Sequence, residues 1–369
     1  MKKEPRVLLL IPHLGGGGAE KVTYLLAREL GRKRYDLHLG LVAQRQAEGV
    51  IDAPATVHVI GASRVRSSAG RLLRLVWRTK PDLILSNMAH LNFLVLLLRP
   101  LFPKGMHVIV RQNGTASSMI NSDRSPLRAR WLYCALYRRA ERIICQTDAM
   151  ADDLERIAPV LKGKTTVLRN PVDLNAVRTT ADGAPSKWTG AGPHLLSVGR
   201  LANEKGFDLL LEAMTKVKAD FPNAAVTIAG TGPEKDTLVR LCHSLNLNRH
   251  VRFLGAVPAP AMYFRGATVF VSSSRHEAMS NALLEAAAAG LPIVSTPASE
   301  GMVQLLHGKE GVWLTKDTSA DALATTLKQT LRTLQPGQRF PHPWIEEFHM
   351  DHAVTAYGQL IDETLDSAR

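Results

Sequence analysis

The chain alternates, twice over, between short apolar-rich runs and longer segments of helical periodicity, and this alternation is the strongest constraint on its fold. Runs of strand length lie at Val7–Ile11, Leu37–Val42, Val57–Ile60, Asp82–Ser86, His107–Arg111 and Arg142–Gln146, separated by helix-like stretches such as Ala19–Leu30. Continuous apolar runs suit strands covered on both faces, and parallel strands need a crossover helix between them. A second series comprises His194–Val198, the helix Gly206–Asp220, Ala225–Ala229, the helix Glu234–Leu245, Val251–Leu254, Thr268–Val271 and Pro292–Ser295. Between the two series, Ala181–Pro193 is rich in Gly, Pro, Ala and Ser and reads as a linker. Trp344–Asp366 reads as one long amphipathic helix. The expected class is α/β with two doubly wound domains, residues 1–180 and 181–345, and a terminal helical segment at 346–369. A length of 369 residues also favours two cores over one.

Ligands of open parallel sheets bind beyond the carboxyl ends of the strands, so the loops there are where function is sought. The stretch Ser272–Ile293 follows one such strand, with three serines forming a turn and a helix starting at or near Ser280–Asn281. Glu277 precedes the helix start, and Glu285 lies one turn along the helix, facing inward. Free amides and the positive dipole end favour a diphosphate there, while flanking carboxylates accept hydrogen bonds from hydroxyls. That combination suits a ligand carrying both phosphates and sugar hydroxyls. After His194–Val198, the loop Gly199–Gly206 puts Arg200 and Lys205 at a strand end, where two cations can hold a diphosphate and neutralise a leaving group. Gly230–Pro233 follows the next strand. In the first series, Gly15–Gly18 allow a ligand to come close to the backbone before a helix start. A dinucleotide-binding reading is disfavoured, because these glycines do not fit G-x-G-x-x-G and the second strand ends Val42-Ala43-Gln44 without an acid for a ribose.

The net charge of +13 is unevenly distributed, with 24 Lys and Arg against 10 Asp and Glu in residues 1–150, leaving 22 against 23 in the remainder. An anionic partner for the first half follows. Arg71, Arg74 and Arg78 alternate with Leu72, Leu75 and Trp77, and Arg128, Arg130, Arg138 and Arg139 with Trp131, Leu132 and Tyr137. Basic residues beside Trp and Leu on a helix suit an anionic membrane surface, and no nucleic-acid module accompanies them. Cys134, Cys145 and Cys242 have no metal-ligand spacing, and a reducing cytoplasm is the simplest setting. The N-terminal apolar run is a strand rather than a signal peptide, and no segment is long enough to span a membrane.

Several motifs resemble those of glycosyltransferase family 4: V-G-R-L-x-x-E-K-G-F at Val198–Phe207, A-G-T-G-P at Ala229–Pro233, V-R-F-L-G at Val251–Gly255, E-A-M-S-N-A-L-L-E-A at Glu277–Ala286 and N-P-V-D at Asn170–Asp173. The first half is similar to bacterial members acting on lipid-linked oligosaccharides, through Leu14–Val22 and Val110–Asn113. The resemblance implies a GT-B fold of two facing Rossmann-like domains, with the last helix crossing back to the first. It further implies metal-independent, retaining transfer from a nucleotide sugar, most readily a UDP-sugar, to a glycan or polyprenyl-linked acceptor without a cofactor. On this basis Arg200 and Lys205 hold the donor diphosphate, Glu285 the ribose hydroxyls and Glu277 the donor sugar. Backbone amides of Met279, Ser280, Asn281, Ala282 and Leu283 meet sugar and phosphate, the backbone near Leu254 meets the base, Gly232 lines the donor site, and Gly16 and Gly17 approach the diphosphate. Two features depart from the family pattern: Ala278 stands where glycine is usual, and His90 is the nearest substitute for a first-domain histidine. The expected setting is the inner face of the cell membrane, with the protein bound peripherally; a soluble transferase and a non-catalytic nucleotide-sugar binder are the rival readings.

Overall fold

A computed structural model describes residues 4–15, 17–32, 35–43, 54–185 and 187–367. They form two compact units, one comprising Met1–Pro171 with Met350–Arg369 and the other Val172–His349.

In the first unit the elements run β1 (Arg6–Ile11), α1 (Gly18–Leu30), β2 (Asp36–Leu41), β3 (Thr56–Val59), α2 (Ala69–Thr79), β4 (Leu83–Asn87), α3 (Ala89–Leu98), β5 (His107–Arg111), α4 (Ala116–Asn121), α5 (Pro126–Leu136), β6 (Arg142–Cys145), α6 (Asp148–Ile157) and β7 (Thr165–Val167). Seven parallel strands are ordered β3-β2-β1-β4-β5-β6-β7. The order reverses at β1, whose Val7–Ile11 are wholly buried, and the crevice beyond β1 and β4 is therefore the topological switch point. Val7, Leu9 and Ile11 pack with Val22, Leu26 and Leu30 of α1. The period of two sends the alternate residues to the opposite face, where α2, α3 and α5 lie.

The second unit runs α7 (Leu174–Gly183), β8 (His194–Val198), α8 (Phe207–Asp220), β9 (Ala225–Ala229), α9 (Lys235–Ser244), β10 (Val251–Gly255), β11 (Val269–Ser272), α10 (Asn281–Ala288), β12 (Ile293–Ser295), α11 (Glu300–Leu306), β13 (Val312–Leu314) and α12 (Ala320–Thr333). Its six parallel strands are ordered β10-β9-β8-β11-β12-β13, with the switch between β8 and β11. Leu195, Val269, Val271 and Val294 point into one core with α8, α9 and α12. Leu196, Phe270 and Ile293 point into the other, with α7, α10 and α11.

Two boundary expectations change. Val172, Leu174, Val177 and Ala181 belong to the second unit's core, so the junction lies at Pro171–Val172 and Ala181–Pro193 is not a linker. Its Trp188 is anchored by Nε1 donating to the Tyr263 carbonyl at 3.0 Å. Trp344–Asp366 is not one helix either. Pro343–Phe348 is a 3-10 turn whose Trp344, Ile345 and Phe348 are buried in the second unit, and α13 (Met350–Asp366) places Val354, Tyr357 and Ile361 in the first unit's core.

Candidate functional site

In the second unit, both loops at the switch point are held by close backbone approach. Gly206 adopts φ 60°, and a Cβ there would lie 2.1 Å from the Ser273 carbonyl oxygen, so glycine alone lets the β8 loop rest on the β11 loop. Gly230 is similarly pressed on Gly199, and Gly232 on Leu201, where a Cβ would sit 2.2 Å from the carbonyl oxygen. Gly230 and Gly232 therefore let the loop after β9 lie directly against the Gly199 and Leu201 backbone.

This seam brings together residues distant in sequence. Lys205 Nζ forms an ion pair with Glu277 Oε2, Ser274 Oγ donates to the same oxygen at 3.1 Å, and Ser273 Oγ donates to the Lys205 carbonyl at 3.0 Å. The pair is largely enclosed, with side-chain exposures of 22% and 13%. Arg200, by contrast, is exposed, and its Nη2 donates to Glu204 Oε1 at 2.5 Å. Burial would push the Glu204 carboxyl up, but backbone hydrogen bonding and the Arg200 and Lys205 cations hold it below its ordinary value.

A second, unanticipated pair clamps the seam from outside. Arg275 donates to both Asp208 oxygens, at 2.7 and 2.6 Å, and its amide donates to the Glu204 carbonyl at 2.8 Å. Bidentate geometry fixes angle as well as distance. Burial works against the Asp208 charge, yet Arg275 keeps that carboxyl below its usual range. The two residues are 67 positions apart, so no local pattern announced them.

Ser280 caps α10, its Oγ accepting from the Leu283 amide at 3.4 Å. Met279 and Leu283 are buried core side chains and can offer a ligand only backbone, whereas Asn281 and Ala282 open the first turn, where amides have no intrahelical acceptor. Glu285, one turn further, is buried. Leu254 lies at a register break between Phe253 and Gly255, beside β9. Among the described residues the non-glycine positions of positive φ are Lys80, Met88, Asn246 and His342, so Ala278 sits outside the left-handed region and its Cβ is tolerated.

The first unit offers a different kind of strand edge. Gly17 is the N-cap of α1, and Glu20 folds back beneath it, so that a Cβ on Gly17 would lie 2.3 Å from Glu20 Oε2. Gly16 lies outside the described residues. His13 Nδ1 is 3.6 Å from Glu20 Oε1 and accepts from the Gly15 amide at 3.2 Å. His90 is exposed in the first turn of α3; partial desolvation of its ring, then the nearby His13, lower its pKa. His13 thus joins His90 at the β1/β4 switch point, and sequence reading had not singled it out. Met88, just before α3, carries φ 77°, a strained value for a non-glycine residue of the sort that gathers at functional sites. Among the described residues no group of three His, Cys, Asp or Glu side chains is arranged to hold a metal ion, and no helix is long and apolar enough to cross a membrane.

Comparison with known proteins agrees with this architecture. Residues 182–339 match the family described as Glycosyl transferases group 1, and residues 16–176 match Glycosyltransferase Family 4. The lipopolysaccharide core biosynthesis glycosyltransferase LpsE of Rhizobium meliloti is 28% identical over 61% of this chain and 65% of its own length. An uncharacterized glycosyltransferase of Methanocaldococcus jannaschii is 27% identical over 64% of this chain and 60% of its own length, so these two alignments each span under two thirds of the relative. A Campylobacter jejuni enzyme, N-acetylgalactosamine-N,N'-diacetylbacillosaminyl-diphospho-undecaprenol 4-alpha-N-acetylgalactosaminyltransferase, is 25% identical over 88% of this chain and 89% of its own. Among solved structures, a sucrose-phosphate synthase from Thermosynechococcus elongatus superposes with a TM-score of 0.81, at 17% identity, over 98% of this chain and all of the other. HepE of Anabaena, solved with UDP and glucose, gives 0.78 at 18% identity over 98% and 100%. Two Rossmann-like units with these neighbours define a glycosyltransferase of the GT-B fold. Within that class the chain belongs to the family 4 type.

Proposed function

We propose that the protein catalyses retaining transfer of a sugar from a nucleotide sugar, a UDP-sugar by preference, to a lipid-linked or polysaccharide acceptor, with no metal or resident cofactor. The observation that carries this reading is the Lys205–Glu277 pair at the second unit's switch point, with the capped start of α10 following Glu277. Lys205, with Arg200 swinging from Glu204, meets the donor diphosphate; the first-turn amides of α10 add their dipole. Glu277 accepts from donor-sugar hydroxyls and buried Glu285 from the ribose. In the transfer the anomeric carbon–phosphate oxygen bond breaks and a bond to the acceptor oxygen forms on the same face. The acceptor's proton passes to the departing diphosphate, so no side chain is needed as nucleophile. The cations act on charge that develops on the leaving group, where pre-set electrostatics do most.

The polyprenyl-linked acceptor named for the Campylobacter relative supports a lipid-borne substrate, as does the first unit's surface. Trp77, Leu97 and Leu101 are each more than half exposed, as are Leu127 and Trp131. All lie on the α2, α3 and α5 side of the sheet or its adjoining turn, among the arginines of α2 and α5. Exposed Trp and Leu beside arginine match an anionic bilayer interface, which supports the reading of a protein bound peripherally at the inner face of the cell membrane.

A panel of UDP- and GDP-sugars tests the donor, read by thermal shift and by release of nucleoside diphosphate. Stabilisation rising with ligand concentration is expected; no shift and no release with any donor would overturn the reading. Flotation with vesicles containing anionic lipid at low salt tests the membrane, and Trp131→Asp with Leu127→Asp is expected to abolish flotation. Recovery of native protein only in the vesicle-free fraction favours a soluble transferase.

A further inference from the structure

The first unit buries a complete guanidinium without an acid beside it. Arg111, the last residue of β5, has no exposed surface. Its Nε donates to Tyr357 Oη at 3.0 Å, Nη2 to Asn170 Oδ1 at 2.5 Å and Nη1 to Asn87 Oδ1 at 3.4 Å. The Asn113 amide completes the ring when its oxygen faces Nη1, at 2.9 Å, with its nitrogen donating to Asn87 Oδ1 at 2.6 Å and to the Arg111 carbonyl at 3.0 Å. Among the described residues no carboxylate pairs with Arg111. Burying a charge against neutral partners is expensive, and a carboxylate at any of the three amide positions would have relieved it. The partners come from the ends of β4 and β5, the segment after β7, and α13. Through them the arginine fixes the Asn87 oxygen that accepts from strained Met88 at 3.0 Å, and hence the approach to His90. Beside it, Gln112 locks the same loop, donating to the Gly114 carbonyl at 3.0 Å and to Tyr133 Oη at 2.8 Å.

We infer that Arg111 is a positioning residue for the transfer reaction, held deliberately without a counterion: it sets the loops after β4 and β5 and keeps a permanent positive charge at the first sheet's carboxyl edge, favouring a phosphate-bearing substrate group there. This rests on the transferase reading above. Asn170→Asp is the informative substitution. It preserves shape and the hydrogen bond from Nη2 while cancelling the charge, whereas Arg111→Lys preserves the charge and loses the fork.

Melting temperature and turnover of the best nucleotide sugar from the donor panel are measured for both variants and the native protein. The expected order of stability is Asn170→Asp at or above native, then Arg111→Lys. The expected order of turnover is native, then Arg111→Lys, then Asn170→Asp, the last lowered about tenfold or more with donor KM unchanged. A role in stability alone makes turnover follow melting temperature, and native-like turnover in Asn170→Asp would overturn the inference. If that variant does not fold, Asn87→Asp carries the same charge to Nη1 and is read in the same way. Native protein silent with every donor removes the transferase reading and this inference together, whereas an active native protein with an unaffected variant removes only the inference.

Discussion

The two units share one architecture and equip its carboxyl edge in opposite ways. In the second, charge is exposed or paired: Lys205 with Glu277, Arg200 with Glu204, Arg275 with Asp208. In the first, neutral amides and a tyrosine surround a single buried cation. Paired side chains at a loop can exchange a partner for a ligand, whereas a buried cation ringed by amides stays in place, orienting its loops and lending its charge to the edge. On the function proposed above, the same fold supports a gripping edge and a setting edge, distinguished by where the counterions are.

The largest expected effect breaks the gripping edge. Lys205→Ala should lower turnover by roughly a hundred- to thousandfold, the range for removing one pre-set electrostatic group, with the fold retained by circular dichroism; near-native turnover would leave the diphosphate role without support. Next, Gly206→Ala forces a left-handed residue and a Cβ into the Ser273 carbonyl. A loss of at least ~1–3 kcal/mol in denaturant unfolding is expected, with nucleotide affinity falling alongside.

The third effect comes from the first unit's outer strands and depends on pH. Arg78 Nη2 donates to His58 Nδ1 at 3.3 Å, which leaves His58 Nε2–H to donate to His38 Nδ1 at 2.7 Å, and His38 Nε2–H to Asp36 Oδ1 at 3.3 Å. Burial is the main cause that lowers both histidine pKa values, with Arg6 and Arg78 adding to it and Asp36 opposing it at His38. The folded state thus binds these protons less readily than the unfolded one. Their contribution is complete well above 6.5, the ordinary imidazole value, and declines as pH falls below it. His58→Asn should flatten the native decline in melting temperature between about pH 7 and 5; an unchanged slope would exclude the chain of hydrogen bonds as its source. The smallest effect is at Ala278→Gly. Since Ala278 is not left-handed, restoring glycine should cost up to ~1 kcal/mol through unfolded-chain entropy and leave turnover unchanged. A clear gain in turnover would mean that the loop needs freedom that alanine denies.

Much of the fold was legible because parallel strands covered on both faces are continuous apolar runs, as at Val7–Ile11 and Val269–Val271. The division of the chain was less so. Trp344, Ile345 and Phe348 continue smoothly into the pattern of Val354, Tyr357 and Ile361, yet the two groups belong to different cores, and periodicity carries no label for which core it serves. At the site, the loops holding Arg200, Lys205 and Glu277 could be found from strand ends, but the contact between Lys205 and Glu277 spans 72 residues. Arg111 was hidden for the same reason: apart from Asn113, its partners lie 24, 59 and 246 positions away, and only the folded first unit assembles them.

The junction at Pro171 has a practical consequence. Val172 bridges in parallel to His349, its amide donating to the Phe348 carbonyl at 2.8 Å, so the second unit begins and ends at adjacent points. It is topologically a cassette, inserted into the first unit through two neighbouring splices. Exchanging residues 172–349 for the corresponding stretch of a relative would need no new linker and, on the function proposed above, would transplant donor choice while Arg111, Tyr357 and the rest of the host remain in place.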